Sequence, residues 1–141
     1  MKAYIDTSVL VAYYCPEPLS EKVEAFLVAQ EEPAISALTE VEFFSAISRK
    51  VREKAIDRKD AIKVGAQFVS HLDAGYYLRH PVEDRHYQVA KSWISLFQLS
   101  LRTLDALHLA ICSLKRLTLA TADPGLFKSA KGLAIDTIFI Q

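Results

Sequence analysis

The chain has only two cysteines, Cys15 and Cys112, far apart and outside any C-x-x-C spacing. Neither a disulfide scaffold nor a zinc–thiolate site is therefore expected. Its four glycines are about half the usual share of roughly 7%, which favours helices over turn-rich β architecture. The longest runs free of charge, Thr7–Pro16 and Ser92–Leu101, fall well short of the about 20 residues that a membrane span needs. Asp6 interrupts the N-terminus where the apolar stretch of a signal peptide would begin, so a cytoplasmic location is expected. An excess of either charge is missing too. Lysine plus arginine and aspartate plus glutamate are 17 each, which argues against a strongly basic nucleic-acid binder.

What is present describes one soluble domain spanning residues 1–141, with 51% apolar and 24% charged residues. Lys2–Asp6 reads as a short strand, followed at once by a helical pattern from Thr7 to Tyr14 that Pro16 and Pro18 terminate. A helix over Ser20–Glu31 with Ser20 as its cap comes next, then a strand at Ala34–Ser36. The apolar positions Val41, Phe44, Ile47 and Val51 predict a helix over Leu38–Arg52. Asp57 or Asp60 caps another, running to Leu72. Tyr76–Leu78 is a third strand, Glu83–Leu99 a helix, and Thr103–Leu114 a helix capped by its threonine. Leu117–Ala120, Pro124–Ala130 and Ile135–Ile140 then read as strand, helix and strand. Short strands alternating with helices predict an α/β fold, a mainly parallel central sheet covered by helices on both faces.

In such sheets ligands bind beyond the carboxyl ends of the strands, and four acids fall there. Asp6 closes the first strand, Asp123 follows Leu117–Ala120, and Glu42 and Asp105 lie in the first turns of helices. Each has a local reading as well. Asp6 suits an N-cap, Thr39-Glu40-Val41-Glu42 fits a capping box, Asp105 complements a helix dipole, and Asp123-Pro124 suits a helix start. Taken together they differ from four caps. Carboxylates at one sheet edge repel one another, and a hard divalent cation such as Mg²⁺ or Mn²⁺ removes that cost. On a helical wheel Glu42 shares a face with Ser45, Ala46 and Arg49, whereas Glu40 falls among Phe43, Phe44 and Ile47, so Glu42 is the better ligand and Glu40 the reserve. His108, three residues after Asp105, is either a hydrogen-bonding support for it or an ordinary buried histidine. From Arg49 to Lys63 seven bases face three acids, a basic patch or simply a solvated helical face.

Four segments resemble the motifs of PIN-domain ribonucleases: Tyr4-Ile-Asp6-Thr-Ser8-Val-Leu10, Ser36-Ala-Leu-Thr39-Glu-Val-Glu42, Leu101-Arg-Thr-Leu-Asp105-Ala-Leu-His108-Leu-Ala110 and Ala120-Thr121-Ala-Asp123. They occur in the family's order, cover essentially the whole chain, and look most like the VapC toxins of toxin–antitoxin pairs. The resemblance supports Glu42 over Glu40. It implies a three-layer α/β/α sandwich, a Mg²⁺- or Mn²⁺-dependent endoribonuclease site on Asp6, Glu42, Asp105 and Asp123, a homodimer, and inhibition by a small antitoxin. The implied substrates are RNAs such as tRNA or rRNA loops. Ser8 and Thr121 are expected to support the carboxylates or the phosphate, and Arg49 and Arg52 to contact the RNA backbone. The main rival is a PIN-like module that binds RNA or antitoxin without cutting.

Overall fold

The computed structural model describes residues 1–141 as a five-stranded parallel sheet of order β3-β2-β1-β4-β5. The strands are β1 (Ala3–Ile5), β2 (Ala34–Ser36), β3 (Leu78–His80), β4 (Thr118–Thr121) and β5 (Thr137–Phe139). The helices are α1 (Thr7–Tyr14), α2 (Ser20–Val28), α3 (Ala37–Arg52), α4 (Arg58–Asp73), α5 (Asp84–Ile94), α6 (Thr103–Lys115) and α7 (Pro124–Gly132). Alternation along each strand splits the core in two. Ala3, Ile5, Ile35 and Ala120 face a cluster with Val9, Leu10, Phe43 and Phe68, from α1, α3 and α4. Tyr4, Ala34 and Leu119 face the other way, onto Leu109, Ile111 and Cys112 of α6 and Leu126 of α7. A sheet buried on both faces between helices is the three-layer sandwich expected of parallel strands.

The strand order sets the functional edge. From β1 the chain steps outward to β2 and β3, then returns to place β4 on the other side of β1. The turns leaving β1 and β4 therefore diverge, opening a crevice where the order reverses.

Several boundaries differ from the sequence reading. The third strand is Leu78–His80 rather than Tyr76–Leu78, because Leu78 pairs with Ala34 while Tyr76 stacks on His71 and Tyr77 bonds Tyr14. α2 stops at Val28. Its N-cap is Leu19, and Ser20 instead accepts from the Glu17 N–H. α5 ends at Ile94, not Leu99. Ser95 caps it, and Phe97 takes a left-handed conformation with φ of 55°, which no glycine or proline announces. α6 is capped by Arg102 without a side-chain bond, so Thr103 is not its cap. Asp57 does cap α4, accepting from the Asp60 N–H at 2.8 Å.

Candidate active site at the carboxyl edge of the sheet

Asp6 occupies the N-cap position of α1, yet its carboxylate makes no capping bond. Instead Oδ2 accepts from the hydroxyls of Ser8 at 2.6 Å and Thr121 at 2.9 Å. Those hydroxyls in turn accept the backbone N–H of Ala122 and of Asp123, both at 3.0 Å. Two hydroxyls thus stitch the ends of β1 and β4 together around a carboxylate only 6% exposed.

Glu42 is placed by α3, whose N-terminus is closed by Ser36 and Thr39 in a reciprocal capping box. The expected box starting at Thr39 does not form, and Glu42 is left free of local duties. Its Oε1 accepts from the Thr7 hydroxyl at 3.0 Å and from His108 Nε2. His108, 1% exposed, meets the Tyr4 hydroxyl through Nδ1 at 2.6 Å. Burial pushes the Tyr4 phenol up, so it stays protonated. The imidazole thus bridges the Tyr4 hydroxyl and the Glu42 carboxylate, its Nε2–H donating to Glu42. His108 therefore supports Glu42, not Asp105. Burial works against the Glu42 charge, but the His108 bond, the attraction of His108 and the Thr7 hydroxyl outweigh it and hold the carboxyl below its ordinary value.

Asp105 behaves in the opposite way. Burial raises its carboxyl, and so does repulsion from Asp123, Asp6 and Glu42, against a smaller opposing pull from His108. Asp105 thus feels the charge of the other three acids. Asp123 caps α7 through Oδ1, which accepts from Gly125 N–H at 2.8 Å and Leu126 N–H at 3.4 Å. Its local role is real, and Oδ2 remains outside it.

Glu42, Asp105 and Asp123 line one groove of about 1130 Å³, with Arg49, Arg102 and Lys128 also in its walls. The four acids do not form a ready-made cage: no three His, Cys, Asp or Glu side chains converge closely enough to hold a metal ion. Uncompensated like charges favour such separation. In donor chemistry the set suits a hard divalent cation, since the carboxylates are oxygen ligands and each keeps an oxygen outside the bonds just described.

Other sequence candidates lie elsewhere. Glu40 pairs with Arg79 outside the groove. Of the basic cluster, Arg49 reaches the groove, whereas Arg52 bonds Ser48 and Lys50 pairs with Glu17. The sequence reading missed Tyr4, Thr7, Arg102 and Lys128. Thr7, adjacent to Asp6, was the one position that could have drawn notice.

The parallel three-layer sandwich thus carries, at the reversal of its strand order, a groove walled by three carboxylates and three cations. The chain belongs to the PIN domain family, whose model matches residues 3–133. Solved structures with the same fold include FitAcB from Neisseria gonorrhoeae, at 22% identity and a TM-score of 0.67, with 96% of each chain covered. VapC20 from Mycobacterium tuberculosis, described as a sarcin–ricin loop cleaving toxin, has 14% identity and a TM-score of 0.73 over 91% of this chain and 95% of its own. VapBC2 from Rickettsia felis, bound to promoter DNA, has 16% identity and a TM-score of 0.67, with both chains fully covered. At these identities the likeness is one of fold. No curated protein matches the chain by sequence.

Proposed function

We propose that the chain is a metal-dependent endoribonuclease that hydrolyses RNA phosphodiester bonds and acts as the toxin of a toxin–antitoxin pair. The observation that carries this reading is the groove at the carboxyl edge of the sheet, where Glu42, Asp105 and Asp123 stand in one wall with Arg49, Arg102 and Lys128, while Asp6 lies at the end of β1 tied to Thr121 at the end of β4. The groove exceeds the roughly 300–1,000 Å³ usual for small-ligand pockets, and its mixed basic and acidic walls suit a polymer with phosphates.

Asp6, Glu42, Asp105 and Asp123 would hold Mg²⁺ or Mn²⁺. When bound, such a cation supplies activation of the attacking water and neutralises charge on the phosphoryl oxygens. The chain's own residues do the rest. Ser8 and Thr121 fix Asp6, while Thr7 and His108 fix Glu42. Arg49, Arg102 and Lys128 flank the groove as phosphate-binding cations. Toxin character rests on the VapC and VapBC likenesses. By the same likeness we propose a homodimer, a small antitoxin as partner and a cytoplasmic site of action. No helix is long and apolar enough to cross a membrane.

The test is cleavage of single-stranded RNA with Mn²⁺ and with chelator. The wild-type protein is expected to cut only with the ion, and Asp6→Ala and Asp105→Ala to stay folded without cutting. Normal cleavage by either variant refutes the assignment. The non-cleaving alternative draws on the lack of a pre-formed ligand cage, and wild-type protein that binds the RNA yet stays inert with Mn²⁺ would favour it.

A further inference from the structure

We infer that Phe97 is a stacking platform for an unpaired nucleobase of the RNA that enters the groove. The inference rests on the nuclease reading and adds what selects the substrate. Phe97 lies in the loop between α5 and α6 and is 89% exposed, more than any other large apolar side chain of the chain. Its φ of 55° is a conformation that an aromatic residue adopts against its own preference. The loop is nevertheless anchored. Leu99 is seated so close to Gly132 that an added Cβ there would lie 3.2 Å from Leu99 Cδ2. The residues that follow Phe97 are groove wall: Gln98, Leu99, Ser100 and Arg102 line it together with Glu42, Asp105 and Asp123.

An aromatic face in water beside a cation-flanked groove matches the way single strands are bound, with phosphates on the basic groups and bases on aromatic rings. Every base offers such a face, but only when it is unpaired, so the platform selects loops and single strands over duplex. Past Phe97 the chain alternates Gln98, Ser100 and Arg102 with Leu99 and Leu101, so polar and cationic groups of the groove wall follow directly on the exposed ring.

The experiment compares wild-type, Phe97→Ala and Phe97→Trp protein on a mixed-sequence single-stranded RNA carrying 2-aminopurine, and on its blunt duplex. Binding is read in the Asp105→Asn background and turnover in the wild-type background. For the single strand, Phe97→Ala is expected to raise Kd and KM roughly tenfold, the order of one lost base stack, with kcat unchanged and 2-aminopurine quenching reduced. Phe97→Trp is expected to restore all three, and duplex binding to stay the same for every variant. Unchanged Kd, equal behaviour of the alanine and tryptophan proteins, or a loss that follows a change of oligomeric state in light scattering would each overturn the inference. Wild-type protein that fails to cut with Mn²⁺ overturns the nuclease reading instead. The binding arm needs no turnover and decides Phe97 separately.

Discussion

The buried imidazole of His108 joins the hydroxyl of Tyr4, at the middle of the central strand, to the carboxylate of Glu42 in the groove. An acid in the first turns of α3 is thereby oriented from the core of the sheet. His108→Ala leaves the Tyr4 hydroxyl with one partner fewer in a dry interior and opens a cavity. The expected cost is about 2–4 kcal/mol in urea unfolding. RNA cleavage is expected to fall roughly 10–100-fold, as for other groups that orient a ligand. His108→Gln, which keeps a donor, should recover part of both losses. Full activity in the alanine protein would show that Glu42 needs no such support.

Asp105 is the strained member of the acid set. Its carboxyl is raised above the ordinary value, so the folded chain takes up a proton there before the unfolded chain does. The resulting stability is complete below the unfolded pKa and is lost as pH rises through the folded one. In chelator, Asp105→Asn should therefore melt above the wild-type protein at neutral pH, by roughly 2–4 °C per kcal/mol relieved, and the difference should vanish in acid. Added Mn²⁺ should reverse the ranking, because a ligand that binds only the folded state stabilises it, by about 2.7 kcal/mol at a hundredfold excess over Kd. Thermal melts of both proteins with and without Mn²⁺ check this. A wild-type melt indifferent to the ion would count against a cation site.

The groove cations separate from the rest of the basic cluster. Arg49, Arg102 and Lys128 line the groove, while Arg52 is engaged with Ser48. Each groove residue changed to alanine should lower the slope of log K against log salt by about 0.7 for a single strand. Arg52→Ala should leave it unchanged. A salt titration of RNA binding distinguishes the two groups.

His86 is fully buried at the start of α5, where its Nδ1 accepts the Glu83 N–H at 2.8 Å. Burial lowers its pKa from 6.5, the nearby charges of Arg85, Lys115 and His80 adding to this and Glu83 opposing it. Above pH 6.5 both states are neutral and nothing is at stake. Below it the unfolded chain binds the proton first, so stability declines as pH falls toward the folded pKa. Urea midpoints at neutral and mildly acid pH should show this decline. It is read in the Asp105→Asn background to remove the opposing slope, and it should shrink in His86→Gln.

Local chemistry made the layers and the acids legible. The short β-favouring run Lys2–Asp6, and helices opening beside Asp6, Glu42 and Asp105, are short-range patterns. Contacts between distant segments were not. His108 looked like a neighbour of Asp105 because they are three residues apart, yet its bonds go to Tyr4 and Glu42, and only the packing of α6 under the sheet decides that. The end of α5 was missed for a related reason. Phe97 carries no chain-breaking chemistry, so nothing in the local sequence announces its left-handed backbone. Arg102 and Lys128 are single cations that acquire meaning only as walls of a shared groove.

Asp123 divides its two oxygens, Oδ1 fastening the first turn of α7 and Oδ2 left outside that cap. A glutamate there would keep the charge but reach past the amides of Gly125 and Leu126, and an asparagine would keep the amide contacts but surrender the charge. Asparagine at Asp123 thus removes the charge and keeps the first turn of α7, whereas glutamate keeps the charge and loosens that turn.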